Sequence, residues 1–396
     1  MPARLKFIFV AVALALTWSG AARAEGFQSA AAQALLVDFE SGATLYEKNA
    51  DARFPASALV KLMTAELVFR ELKDGRLHLD DTFHVSEHAW RTGGAHAHAT
   101  ASFLDVNSNV RIEDLLRGLI VQSGNDAAIV LAEGMTGSEE AFADQMNKRA
   151  AELGLAHSSF VDPWGRDDPN QKVTARDMAR LAAYIIREYP DDYHYFGEKE
   201  FTWNKIHQLN RNPLLSAEPG ADGLKTGDAP DNGLSLVGSA VQDGQRLIVV
   251  VAGLKTAAER GEEARKLLEW GFHAFEPRLL FQPGDVVGTA SVFGGDVSEV
   301  PLTCDQPIKV FLARGGQERL TAKIVYRGPL AAPVAAGAQV ATLRVWRGDT
   351  LALEAPLRTQ TAVALGGLGK RAFDASMEFA TDLIRGALAK NGLAKN

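Results

Sequence analysis

The chain has 396 residues, of which 46% are hydrophobic and 23% are charged. This length is enough to bury a large core and predicts two domains, and the balanced composition argues against a disordered protein. The formal net charge of −7 at pH 7 argues against nucleic acid as a partner. The single cysteine, Cys304, cannot form an internal disulfide, so the fold has to depend on its hydrophobic core.

Residues 1–24 have the features of a secretory signal peptide. Arg4 and Lys6 precede an apolar run from Phe7 to Leu16, and Ala22-Arg23-Ala24 is a cleavage site of small residues. The alternative is an uncleaved anchor helix, but the short apolar run and the small-residue site favour cleavage. The sequence therefore predicts export.

Residues 25–277 have the pattern of an α+β domain, in which helices flank an antiparallel sheet. The predicted elements are, in chain order, a hairpin of strands 34–39 and 43–47, helices over 57–73, 112–119, 126–133 and 174–186, a hairpin of strands 234–240 and 246–252, and a closing helix over 264–275. The helix over 126–133 is apolar nearly all round, which is typical of a helix buried in the middle of a domain. Polar residues just before it are therefore expected to be held rigidly.

After Pro277 the helical spacing disappears. Short β-rich runs separated by Gly and Pro turns follow one another through residues 278–365, which predicts a small all-β sandwich. Cys304 lies within this part of the chain and is expected to be a buried, inert thiol.

Residues 366–396 become helical and amphipathic again. Phe373, Met377, Ala380, Ile384 and Leu388 recur every three or four residues, with charged residues on the opposite arc. Two interpretations remain open from the residues alone. The apolar stripe either lies in a membrane surface or docks against the preceding β domain.

Three short motifs carry the chemistry. Ser57 precedes Lys61 at the start of the first long helix, Ser123-Gly124-Asn125 follows, and Lys225-Thr226-Gly227 comes last. A serine, a lysine, an S-x-N and a K-T-G in this order make up the machinery of enzymes that acylate an active-site serine with a D-Ala-D-Ala peptide or a β-lactam. Each triplet alone is weak evidence, but their joint occurrence in order makes a chance match a matter of a few per cent.

Each residue type fits one task in acyl transfer. Ser57 would be the nucleophile, and Lys61, one helical turn later, would be the base that takes its proton. The lysine acts as a base only if its pKa falls, and burial among apolar neighbours together with the cation Lys225 both favour this. Ser123 would relay a proton to the departing amine, and Asn125 would hydrogen-bond a substrate amide.

The K-T-G segment is expected to bind the substrate's end. Lys225 would meet the terminal carboxylate, Thr226 would add a hydroxyl contact, and Gly227 would complete the segment beside a strand edge. Helical spacing turns Glu66 away from Lys61 and predicts a surface charge. His96 and His98 lie in a loop of small residues without nearby acidic or thiol ligands, so a solvated loop is favoured over a metal pair.

The chain resembles the low-molecular-mass penicillin-binding proteins, which are serine-type D-alanyl-D-alanine carboxypeptidases. Residues 55–64 approximate the family pattern P-A-S-x-x-K-[LIM]-M-T, and Q-S-G-N-D-A and D-G-L-K-T-G occur intact at 122–127 and 222–227. The resemblance covers nearly the whole chain. It implies a β-lactamase/transpeptidase-like catalytic domain, a small β-sandwich domain and a terminal helix that holds the protein on the outer face of the inner membrane, in the periplasm. It further implies peptidoglycan pentapeptides as substrate, β-lactams as inhibitors, and no metal or organic cofactor.

Two residues depart from the family pattern. Counting from Ala50-Asp51 to Lys61 gives the family's usual spacing, which puts Ala58, not Ser57, in the nucleophile slot. On a straight helix the Ser57 hydroxyl would then be rotated by about 100° from the expected direction. Asp228 follows K-T-G where the family usually has His, and the resemblance implies that its backbone N–H is an oxyanion donor. A carboxylate there opposes the developing negative charge unless it turns away or is neutralised.

Ala58 in the nucleophile slot leaves a pseudoenzyme as an alternative, which would bind peptidoglycan peptides or a partner without cleaving them. A D,D-endopeptidase acting on crosslinks is a lesser alternative, because the β domain and the terminal helix fit the carboxypeptidases better. A β-lactamase is a minor alternative, because the chain has no E-x-x-L-N segment of the kind that supplies the deacylating glutamate in class A enzymes.

Overall fold

A computed structural model describes residues 27–229, 233–314, 319–348 and 350–372. The predicted signal peptide and the apolar stripe that begins at Phe373 lie outside these residues. Among the described residues, none of the helices is long and apolar enough to cross a bilayer.

The described residues of the first part of the chain, 27–229 and 233–274, contain eleven strands and eight α-helices. Its strands are β1 (Gln33–Asp38), β2 (Thr44–Lys48), β3 (Phe54–Pro55), β4 (Thr82–His84), β5 (Asn109–Arg111), β6 (Lys172–Val173), β7 (Glu200–Trp203), β8 (Ile206–Leu209), β9 (Ala221–Ala229), β10 (Gly233–Gln242) and β11 (Gln245–Leu254). Its helices are α1 (Lys61–Lys73), α2 (Glu87–Gly93), α3 (Ile112–Arg117), α4 (Asn125–Thr136), α5 (Glu139–Glu152), α6 (Ala175–Glu188), α7 (Leu214–Ala217) and α8 (Ala257–Ala274).

A five-stranded antiparallel sheet in the order β2-β1-β11-β10-β9 forms the centre of this domain. Successive side chains on a strand point to opposite faces, so each strand supplies two cores. Leu35 and Ile248 belong to the core shared with α1, α4 and α6, whereas Leu36 and Val249 belong to the core shared with α8. Both predicted hairpins and the predicted antiparallel sheet are thereby confirmed.

The second part of the chain is a β domain. Its strands are β12 (Phe275–Phe281), β13 (Val286–Phe293), β14 (Glu299–Thr303), β15 (Ile308–Ala313), β16 (Leu320–Tyr326), β17 (Leu330–Ala331), β18 (Gln339–Arg347) and β19 (Thr350–Thr359). They form a pair, β12-β15, and a six-stranded sheet in the order β16-β18-β19-β14-β13-β17. Cys304 is buried in the core of this domain, and the predicted fold class is confirmed.

The two domains meet at the edge strand β2. Arg347, at the end of β18, donates hydrogen bonds to the carbonyl oxygens of Phe311 at 3.1 Å and of Leu45 at 2.9 Å. A β-domain side chain thus satisfies a backbone acceptor on an outer strand of the central sheet.

Two local expectations are wrong. Helix α8 begins at Ala257 rather than Ala264, because Thr256 caps it by accepting the N–H of Glu259 and its first turns are too polar to show apolar spacing. Glu66 is fully buried rather than exposed, and its Oε1 accepts hydrogen bonds from Arg149. The reason is that α5 and α6 cover this face of α1, so the carboxylate is matched by a cation from another helix.

Candidate active site

Three segments converge on one site, and each is held by a different part of the fold. A 3₁₀ turn over Ser57–Val60 leads directly into α1, which begins at Lys61. The second segment lies at the start of α4, and the third is the end of β9, the other edge strand of the central sheet. Lys61 of the first segment contacts Asn125 of the second, and Ser57 contacts Asp228, the residue that follows Lys225-Thr226-Gly227.

Lys61 is the most deeply placed of these residues. The residue is 1% exposed, and its Nζ donates hydrogen bonds to Asn125 Oδ1 at 2.8 Å and to the carbonyl oxygen of Trp164 at 2.5 Å. Burial lowers its pKa to about 7, a shift that nearby Asp162 and Asp126 oppose. A lysine with this pKa is substantially neutral at physiological pH and can accept a proton.

Ser123 and Asn125 are fixed by an irregular turn between two buried helices. A π-helical turn over Gly118–Gln122 ends at Ser123, which adopts φ 66°, and α4 starts at Asn125. The buried Asp126 carboxylate accepts the N–H groups of Ser102 at 2.7 Å and Leu104 at 3.3 Å, which ties the neighbouring loop to this turn. Ser123 itself is 3% exposed, so both polar groups occupy preorganised positions.

Lys225 and Thr226 are buried on β9, 2% and 5% exposed. Burial, followed by the charge of Lys61, holds the pKa of Lys225 well below its ordinary value. A Cβ at Gly227 would lie 2.7 Å from Ser235 Oγ and 3.1 Å from Leu59. The absence of a side chain therefore lets β9 approach the turn that carries Ser57.

Ser57 does not make the hydrogen bond to Lys61 that the sequence predicts for a nucleophile and its base. No hydrogen bond joins Ser57 Oγ and Lys61 Nζ; instead the Ser57 hydroxyl donates to the carbonyl oxygen of Asp228 at 2.5 Å and accepts the Asp228 N–H at 3.2 Å. Ser57 has φ 45° and lies before α1, in a turn that the backbones of Gly165 and Gly227 approach closely. The Ser57 hydroxyl therefore contacts the backbone of the residue that follows K-T-G.

The carboxylate of Asp228 is neutralised by a residue that the sequence reasoning missed. Arg260 Nη1 donates to Asp228 Oδ1 and, at 3.4 Å, to the carbonyl oxygen of Gly227. Arg260 lies on α8, far along the chain, and no local pattern marks it. The charge of Asp228 is therefore paired with that of Arg260.

A second missed element is the loop that holds Trp164. The buried Asp162 carboxylate accepts the N–H groups of Trp164, Gly165 and Arg166, which folds the loop so that the Trp164 carbonyl faces Lys61. The sequence signal is the D-P-W-G turn, but nothing local indicates its partner. The described residues also contain no group of three or more His, Cys, Asp and Glu side chains that could hold a metal ion.

Gly165 supports the Ser57 turn and provides a test of it. Gly165 has φ +102°, and a Cβ there would lie 2.2 Å from the Ser57 carbonyl oxygen. We expect Gly165→Ala to destabilise the protein by about 2–4 kcal/mol and to slow acylation, because both backbone strain and a clash with the Ser57 peptide result.

The matched control is Gly154→Ala. Gly154 also has positive φ (+70°), but a Cβ there would have nothing within 4 Å. Urea unfolding should show a loss of about 1 kcal/mol for this variant, with unchanged acylation. Equal losses for both variants would mean that contact with Ser57 is irrelevant.

Comparison with known proteins gives a consistent result along the chain. A family model described as D-alanyl-D-alanine carboxypeptidase matches residues 20–256, and one described as the C-terminal domain of penicillin-binding protein 5 matches residues 275–364. D-alanyl-D-alanine carboxypeptidase DacC of Escherichia coli (strain K12) is 40% identical over 86% of this chain and 86% of its own length. The crystal structure of penicillin-binding protein 5 from Haemophilus influenzae superposes with a TM-score of 0.73 at 37% identity, covering 85% of this chain and 98% of that one. Penicillin-binding protein 6B from Escherichia coli superposes with a TM-score of 0.65 at 32% identity, covering 84% and 96%.

Proposed function

Because the chain belongs to the D-alanyl-D-alanine carboxypeptidase family, we propose that it removes the terminal D-Ala from peptidoglycan pentapeptides through an acyl intermediate on Ser57. The observation that supports the proposal is the hydrogen bond that the Ser57 hydroxyl accepts from the backbone N–H of Asp228, the residue after Lys225-Thr226-Gly227. That N–H is the donor that a substrate carbonyl would use.

The resting contact suggests how the reaction starts. An incoming carbonyl oxygen would take over the Asp228 N–H, and the released Ser57 hydroxyl would turn toward Lys61. Hydrogen bonds of this kind commonly tighten only once substrate is bound. As Ser57 Oγ bonds to the carbonyl carbon, its proton passes to neutral Lys61, and the negative charge collects on the carbonyl oxygen.

The remaining residues complete the turnover. Collapse of the intermediate breaks the C–N bond, and Ser123 passes a proton from Lys61 to the departing D-Ala amine. Water then attacks the ester, giving the shortened peptide and free Ser57. Asn125 keeps its amide N–H₂ for a substrate carbonyl, while Lys225 and Thr226 bind the terminal carboxylate.

The test is the mass of the intact protein after incubation with benzylpenicillin, together with release of D-Ala from an N-acylated pentapeptide. The proposal expects the mass of the protein to increase by that of one bound penicillin. It also expects one D-Ala to be released for each pentapeptide consumed. Release of peptide from crosslinked but not linear muropeptides would assign endopeptidase activity instead.

A pseudoenzyme is the second candidate. It is favoured by Ala58 in the family's nucleophile slot and by the missing hydrogen bond between Ser57 and Lys61. In that case the peptide would bind through Asn125 and Lys225 without a covalent adduct at any penicillin concentration.

We propose that the protein acts in the periplasm and that the amphipathic helix predicted from the sequence of residues 366–396 rests on the outer face of the inner membrane. Fractionation of cells expressing the full chain or a chain ending at residue 365 tests this, since only the full chain should sediment with membranes.

A further inference from the structure

Arg260 is a buried cation with an incomplete set of partners. Its side chain is 6% exposed, whereas that of its partner Asp228 is 64% exposed. Arg260 Nε is buried and has no hydrogen-bond partner among the described residues. A guanidinium in this position needs an anion, because an uncompensated buried charge is strongly destabilising.

Arg260 also lies against the K-T-G segment. Its Nη1 donates a hydrogen bond to the carbonyl oxygen of Gly227 at 3.4 Å, and its charge is one of those that lower the pKa of Lys225. A buried guanidinium at this position favours an anionic group, and the carboxylate that pairs with it among the described residues is that of Asp228.

We propose that Asp228 is a specificity-determining residue that weakens binding of ligands ending in a free carboxylate. A ligand carboxylate at Lys225 and Thr226 lies beside the Asp228 carboxylate and competes with it for one guanidinium. The competition is incomplete, since the largely exposed Asp228 side chain can turn to solvent. The ligand class in this inference rests on the proposed function, but the charge competition is a property of the binding site alone.

The test is equilibrium binding of an N-acylated peptide ending in D-Ala-D-Ala and of the same peptide as its C-terminal amide. Titration calorimetry is carried out on the full chain in the Ser57→Ala background, so acylation does not enter and the result stands whether or not the wild-type chain turns over. Asp228→Asn should tighten binding of the free acid by about fivefold, with less than a twofold change for the amide. The gain should shrink at high salt, because screening weakens the charge term.

Asp243→Asn is the matched control. Asp243 is exposed in the turn between β10 and β11, so its replacement changes net charge equally but leaves the site untouched. Tightening in this control, equal tightening for the amide, or weaker binding of the acid by Asp228→Asn would each overturn the proposal. Asp228→His provides a second uncharged side chain should the asparagine variant fold poorly, and it should show the same acid-over-amide gain.

Discussion

Ser57→Ala should abolish covalent labelling by a fluorescent penicillin, lowering the acylation rate constant by at least about a thousandfold. The reason is that Ser57 is the serine whose hydroxyl reaches the Asp228 N–H, the position where a ligand carbonyl has to bind. Stopped-flow or gel-based labelling of wild type and variant measures the ratio directly.

Two companion variants make the result specific. Ser216→Ala removes an exposed hydroxyl on α7 and should label like wild type. The swap Ser57→Ala/Ala58→Ser moves the hydroxyl three residues before Lys61, the family spacing, and should regain labelling relative to Ser57→Ala. Undiminished labelling of Ser57→Ala would assign the acyl group to another residue and remove Ser57 from the mechanism.

Acylation by penicillin should rise about tenfold per pH unit up to an apparent pKa of about 7 and then level off. The rate rises with pH because only neutral Lys61 can accept the Ser57 proton. The rise ends near pH 7 because burial lowers the pKa of Lys61 from the ordinary lysine value. Below pH 7 the amine is protonated and the reactive fraction falls.

Replacement of Lys61, the proposed base, should change the acylation rate more than a shift of one pH unit does. Lys61→Met should slow acylation by about a thousandfold and remove the step near pH 7. Lys73→Met, which removes an exposed amine from the other end of α1, should leave rate and pH profile unchanged. A profile that keeps its midpoint in Lys61→Met would assign the titration to a different group.

The sequence was sufficient to predict the parts of the site that depend on local pattern. Alternating residues predicted the central sheet, apolar spacing predicted α1 and α4, and the three motifs identified Lys61, Asn125 and Lys225 as neighbours. These predictions succeed because strand alternation and helix spacing are properties of short segments.

The direction of Ser57 could not be predicted in the same way. It depends on a left-handed backbone at Ser57 and on the close approach of Gly165 and Gly227, which come from distant segments. Arg260 and the Trp164 carbonyl were missed for the same reason, since tertiary packing brings them to Asp228 and Lys61. Helical spacing alone also misplaced Glu66, whose partner Arg149 belongs to another helix.

The hydrogen bond from Arg347 to the Leu45 carbonyl bears on how the first domain would behave without the β domain. An outer strand with unpaired carbonyl and N–H groups is a template for pairing with a second chain. Strand β2 is such a strand, and the β domain lies against it through Arg347. A shortened chain that ends before β12 would expose this backbone, so self-association through β2 is the expected behaviour of an isolated catalytic domain.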